Sequence, residues 1–289
     1  MTIDRREFLA GASALAANSI FGAGRSAFAA VQKALGDGSI TALSDGYMSF
    51  PVDFMYPAVA NEPLNALLAR HNLPTDRLEP PCNLTLFRSG QRTVLFDVGG
   101  GSQFLPTTGK LPEALEAIDL APQDVTDIIF THAHPDHLWG LLDDFDELFF
   151  SEANYYISEP EWQFWTDPDT VNNARDDQQG LAVGSKRRLE ALADRITLFQ
   201  PESEILSEVS NGTDQLLVLG DALAHPFITF EHPEWPFAQD VDAQRAIVTR
   251  KRLLDFVATR QMDLIGYHLP YPGFGRAERN ETAYRFVTK

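Results

Sequence analysis

The stretch THAHPDHLWG, residues 131–140, places His132, His134, Asp136 and His137 within six residues. It continues DIIFTH (127–132), whose apolar run reads as a buried strand opening into a loop. Neutral imidazoles and a carboxylate are the ligands a borderline divalent ion such as zinc takes. A tight turn through Pro135 can send the first pair to one ion and the second pair to another. A buried strand that ends in metal-ligand residues points to a layered α/β fold with its site along one sheet edge.

The flanking chain supports that reading. NLTLFRSGQRTVLFDVGGG (83–101) alternates apolar and polar residues around Ser89-Gly90, the pattern of a β-hairpin that ends in an Asp-Gly turn. LPEALEAIDL (111–120) has helical spacing behind a proline, ANYYIS (153–158) is a strand, KRRLEALADR (186–195) a helix and RITLF (195–199) a short strand. QLLVLGD (215–221) again runs from strand into loop. From Asp242 to about Thr259, residues Ala246, Ile247, Leu253, Leu254 and Val257 mark one helix face, and DLIGYH (263–268) is a last strand reaching a histidine.

The first 29 residues read differently. Arg5-Arg6, a weakly apolar Ala/Gly-rich stretch and Ala27-Phe28-Ala29 form, in order, a twin-arginine secretory signal with its cleavage site. The expectation is a periplasmic protein whose mature part, residues 30–289, is one domain without linker or repeat. Removing the leader takes the formal charge from −18 to −19. So acidic a chain argues against nucleic acid or an anionic membrane as partner, and permits a homodimer. Its single cysteine, Cys82, excludes a disulfide framework and a Cys-rich metal site. The absence of a G-x-S-x-G elbow argues against a serine hydrolase.

HAHPDH resembles the H-x-H-x-D-H signature of the metallo-β-lactamase-fold hydrolases. VLFDVGGG with Asp97 is similar to that family's early strand and Asp-Gly turn. Asp221 in LLVLGDALAHP resembles its bridging aspartate, and His268 in IGYHLPYPG its last metal-binding histidine. HPEWPF, HLPYPGFGR and the leader look most like the exported branch near methyl parathion hydrolases and acyl-homoserine lactonases. The resemblance implies a four-layer αβ/βα sandwich holding two divalent ions, zinc first among the candidates. His132 and His134 would belong to one ion, Asp136, His137 and His268 to the other, and Asp221 would bridge both. It implies hydrolysis of a lactone, ester or phosphotriester, a small-molecule substrate, by metal-bound hydroxide. Asp136 would also be catalytic, moving a proton through its free oxygen.

The sequence departs from the family at one place. The first ion normally takes a third histidine from a T-P-G-H-T-x-G-H loop, and no histidine lies between His137 and His225. QPESEILSEVSNGTD (200–214) reads as if about twenty residues, two short strands and the loop, were missing near Ser207. His225 and His232 are the candidates to replace the ligand. The alternatives to an active hydrolase are a catalytically silent protein retaining one ion, or an internally deleted form of an active enzyme. Trp139, Trp162, Phe164 and Trp165 could wall an apolar substrate pocket or pack in the core, and Tyr267 could reach a substrate carbonyl.

Overall fold

Two hydrophobic faces on one strand need two layers to cover them, and the alternation within the strands shows how this chain arranges it. The computed structural model describes residues 30–200, 207–211 and 214–289, and the expected leader lies outside them. Its strands are β1 (Val31–Leu35), β2 (Gly38–Tyr47), β3 (Phe50–Pro51), β4 (Arg77–Leu78), β5 (Pro81–Ser89), β6 (Arg92–Phe96) and β7 (Asp127–Ile129). There follow β8 (Asn154–Ser158), β9 (Ile196–Phe199), β10 (Ser207–Asn211), β11 (Asp214–Val218), β12 (Asp263–Ile265), β13 (Phe274–Asn280) and β14 (Ala283–Thr288). They form a seven-stranded sheet in the order β1-β2-β5-β6-β7-β8-β9, a five-stranded sheet in the order β10-β11-β12-β13-β14, and the small pair β3-β4.

In β6, Val94 and Phe96 point to one side and Leu95 to the other. Val94 and Phe96 meet Val209, Leu216, Val218, Ile265 and Phe274 of the five-stranded sheet, so the two sheets pack face to face. Leu95, with Leu84, Leu86, Ile128 and Tyr155, faces outward onto Leu111 and Leu115 of helix Leu111–Glu116 and Leu189 of helix Asp176–Glu190. On the far side Leu217 and Leu264 pack on Leu253, Leu254 and Val257 of helix Ala243–Arg260. Helix, sheet, sheet, helix is the αβ/βα sandwich. Each of these leucines, taken fully out of water, contributes roughly 1.5–3 kcal/mol.

The expected hairpin is β5–β6, with Ser89 opposite Arg92 and Gly90 in the left-handed region at φ +56°. The expected C-terminal helix spans Ala243–Arg260, capped by the Asp242 carboxylate, which accepts from the Arg245 N–H at 3.0 Å. Two expectations are corrected. The helix read as 186–195 runs over Asp176–Glu190. Its early turns are obscured in sequence by Gly180 and Gly184, and at Gly184 an added Cβ would lie 2.3 Å from the Trp139 ring. The segment read as lacking two strands contains β10, which pairs antiparallel with β11 from Ser207↔Val218 to Asn211↔Asp214. Only Val209 of its five residues is apolar, so no sequence pattern announces the strand. Among the described residues no helix is long and apolar enough to cross a membrane.

Candidate metal centre

Strands β6, β7, β11 and β12 end on one edge of the sandwich, and each delivers a side chain there. β6 leads into Asp97, β7 into Thr131–His137, β11 into Asp221 and β12 into His268. The β11 loop comes this close because Gly220, at φ +51°, passes Thr131 where an added Cβ would stand 3.1 Å from that side chain. Leu219 is tied to β12 by its N–H, which donates to the Ile265 carbonyl at 3.0 Å.

Asp136, His137, Asp221 and His268 converge on one point. His137 Nε2 lies 3.2 Å from Asp136 Oδ2 and 3.1 Å from Asp221 Oδ1, and His268 Nε2 lies 3.3 Å from each of the same two oxygens. Among the described residues, Asp136 Oδ2, His137 Nε2 and Asp221 Oδ1 are buried side-chain atoms without an aligned hydrogen-bond partner. Buried polar atoms left in that state are costly and point to a group that completes them. A tetrahedral zinc with arms of about 2.0–2.1 Å separates its donors by about 3.3–3.4 Å, so this set fits a divalent ion in spacing and in chemistry. A second set, His132, His134 and Asp221, shares the carboxylate: His132 Nε2 is 2.9 Å from His134 Nδ1 and 3.7 Å from Asp221 Oδ2.

The outer nitrogens of these rings are held by groups the sequence reading did not assign. His137 Nδ1 pairs with Asp97 Oδ2 at 2.8 Å, and His268 Nδ1 with the Pro81 carbonyl at 2.8 Å. Asp97, in the left-handed region at φ +62°, also accepts from the Thr131 N–H and hydroxyl, both at 2.7 Å. Thr131 Oγ1 in turn lies 3.1 Å from His132 Nδ1. With Nδ1–H donating outward, each Nε2 is turned toward the site, the arrangement that orients histidine ligands. Asp45, fully buried, accepts from the backbone N–H groups of Gly100, Gly109 and Leu111 at 2.8–3.0 Å and ties down the loop that follows Asp97. Asp97 and Asp45 act through contacts across strands, which explains why spacing along the chain does not reveal them.

Electrostatics divides the histidines. Burial depresses His132 well below its ordinary value, and the neighbouring His137 and His134 push the same way, so His132 is neutral. Burial would depress His137 and His268 too. For His137, Asp221, Asp136 and Asp97 outweigh it, and for His268, Asp221 and Asp136 do, raising both well above the usual range. Burial opposes ionisation of Asp136 and Asp221, yet the same imidazoles hold both carboxyls below the ordinary range.

Neither candidate replacement ligand joins either set. His225 is turned to a helix start: its Nδ1 accepts from the N–H groups of Phe227 and Ile228 at 3.2 and 3.1 Å. His232 stacks on Trp235 with ring centroids 3.9 Å apart and lies 3.1 Å from Glu234. Tyr267 is buried, and its hydroxyl donates to the Asp136 carbonyl at 2.6 Å, beside the His137 ring. Trp165 is buried in the main core with Trp139, Trp162 and Phe164 packed against it, so packing is the role the structure shows for this aromatic group.

Comparisons with known proteins agree with this geometry. Residues 77–195 match the family model described as the metallo-beta-lactamase superfamily. No curated protein sequence matches the chain. Among solved structures, AidC, described as a dizinc quorum-quenching lactonase in complex with a product, superposes with a TM-score of 0.85 at 22% identity, over 90% of this chain and 97% of its own. The hydrolase AbOPH gives 0.81 at 23% identity, again over 90% and 97%. A quorum-quenching N-acyl homoserine lactone lactonase gives 0.54 at 16%, over 84% of this chain and all (100%) of its own.

Proposed function

We propose that this chain, which belongs to the metallo-beta-lactamase superfamily, is a metal-dependent hydrolase of a lactone, ester or phosphotriester. The observation that carries the proposal is the convergence of three buried, unpartnered ligand atoms at tetrahedral spacing. Asp136, His137, Asp221 and His268 would hold one divalent ion, and His132, His134 and Asp221 a second. Bound there, the ions would supply Lewis acidity and a nucleophile at neutral pH. The chain does the rest. Asp97 and the Pro81 carbonyl fix the imidazoles, and Asp136 would relay a proton to the leaving oxygen through the carboxylate oxygen not used as a ligand. Asp221 and His132, with side chains 20% and 17% exposed, are where a small substrate would reach the ions.

One observation favours a second reading. The His132 set has three protein donors and, among the described residues, no fourth. A protein holding only the deeper ion and lacking turnover would look the same. The twin-arginine leader supports export to the periplasm, and cell fractionation of the chain with Arg5 and Arg6 changed to lysine tests that. For the activity, the purified mature chain is analysed for metal and screened against acyl-homoserine lactones and aryl phosphotriesters. About two ions per chain, with turnover that a chelator abolishes, support the hydrolase. One ion and no turnover support the silent protein, and no bound ion overturns both.

A further inference from the structure

Glu161 lies outside both ligand sets, on helix Glu159–Thr166, yet it reaches the centre of the first histidine pair. Its Oε1 accepts from the backbone N–H of Ala133, the residue between His132 and His134, at 2.9 Å. The same oxygen accepts from Trp165 Nε1 at 2.6 Å, one helical turn on. The Trp165 ring then stands edge-on to the His134 ring, centroids 5.7 Å apart and planes at 82°. Ala133 is fully buried, so its N–H has one protein acceptor and no access to water in exchange.

From this we propose that Glu161 and Trp165 form a latch that positions His132 and His134 as a ligand pair. The inference rests on the metal-centre reading above. The four-donor set has its own supports, Asp97 on His137 and the Pro81 carbonyl on His268. Among the described residues the three-donor set has no fourth protein ligand to fix its geometry, so beside the Thr131 hydroxyl on His132 it depends on the turn that carries its two histidines. Fixing the Ala133 N–H fixes the plane from which both imidazoles project. Holding the Trp165 edge against His134 limits that ring's rotation. Glu161 is a positioning residue, acting on the shallower ion and leaving the deeper one unaffected.

The test compares the full-length mature chain with Glu161→Ala and Glu161→Gln. Zinc affinities for the first and second equivalents are measured by chelator competition, and cobalt uptake is followed by its visible absorption. The glutamine amide oxygen can still accept both N–H groups, so Glu161→Gln keeps the second ion near wild-type affinity. Glu161→Ala weakens the second ion by about 10–100-fold, the usual effect of removing an outer-sphere partner, and leaves the first unchanged. A Glu161→Ala chain that binds both ions as wild type does, or that loses both together, overturns the latch. A Glu161→Gln chain that behaves as Glu161→Ala also overturns it. A wild-type chain that takes up a single equivalent instead overturns the two-ion reading on which the latch rests.

Discussion

His225 gives a sharp prediction because its structural role requires it to be neutral. Its Nδ1 accepts two backbone N–H groups at the start of helix Ile228–Glu231, and its own carbonyl accepts from Thr229 Oγ1 at 2.7 Å. Burial, and then the nearby His71, push its imidazolium down to about 3. In the unfolded chain it titrates near 6.5. The unfolded state therefore binds the proton first as pH falls, and stability drains away between the two values. From pH 7.5 the loss is about 2 kcal/mol by pH 5 and about 3 kcal/mol by pH 4. Above pH 7 the residue contributes no pH dependence.

The perturbation is His225→Asn, whose Oδ1 stands where Nδ1 stood and keeps the acceptor while removing the titration. Loss of the outer ring atoms costs about 1–2 kcal/mol at pH 7.5. Urea unfolding of both chains at steps from pH 7.5 to 4.5, with metal held saturating, gives the difference in stability, in which the groups common to both cancel. The two stability curves are expected to cross between about pH 5 and 6, below which the variant is the more stable. A difference independent of pH would overturn this account of His225, since it would mean that the folded residue protonates as readily as the unfolded one. Metal content should be unchanged in the variant, and a lost ion would restore His225 as a ligand.

Replacing Asp97 with asparagine puts an amide against the Thr131 and His137 donors, and should weaken zinc binding by about 10–100-fold in chelator competition. Tyr267→Phe removes the bond to the buried Asp136 carbonyl and should cost about 1–3 kcal/mol in urea unfolding while leaving KM unchanged, because the hydroxyl is engaged within the protein. Arg250, 4% exposed, reaches Asp240 at 3.2 Å and the carbonyls of Ala222, Pro233 and Trp235. Arg250→Met should destabilise by about 3–5 kcal/mol, read as a fall in the unfolding midpoint, by stranding the Asp240 carboxylate.

The ligand-bearing segment was legible because one turn carries four ligand-type residues, so local spacing alone betrays it. Asp221 and His268 could be placed through resemblance, each closing a recognisable apolar strand. What the sequence hid is what only the assembled sheet creates. Asp97 looks like a turn residue until β7 lies beside β6 and brings Thr131 and His137 to it. Asp45 looks like a surface aspartate in SDGY until the chain from Gly100 to Leu111 folds over it. Glu161, in a run of acids and aromatics, has no periodicity that separates it from Glu159. β10 was missed because an edge strand need bury only one residue in two, and this one carries serine, glutamate and asparagine.

The departure before Asp221 then has a local consequence, which follows from how that aspartate is placed. Its position is set by more than the pairing of β11 with the preceding β10. It depends on the parallel pairing of β11 with β12, on the Leu219 bond to Ile265, on the approach of Gly220 to Thr131, and on Arg250 holding the Ala222 carbonyl. Those supports lie downstream or in the other sheet, and they survive whatever stands between β9 and β10. Asp221 Oδ1 therefore stays at 3.1 and 3.3 Å from His137 and His268, and the deep set keeps all four donors. Oδ2, turned to His132 at 3.7 Å, serves a set shaped, among the described residues, by its turn, the Thr131 contact with His132 and the Glu161 contact. One carboxylate thus joins a rigid ligand set to a soft one, and any loss of ligand from this part of the chain falls on the soft side.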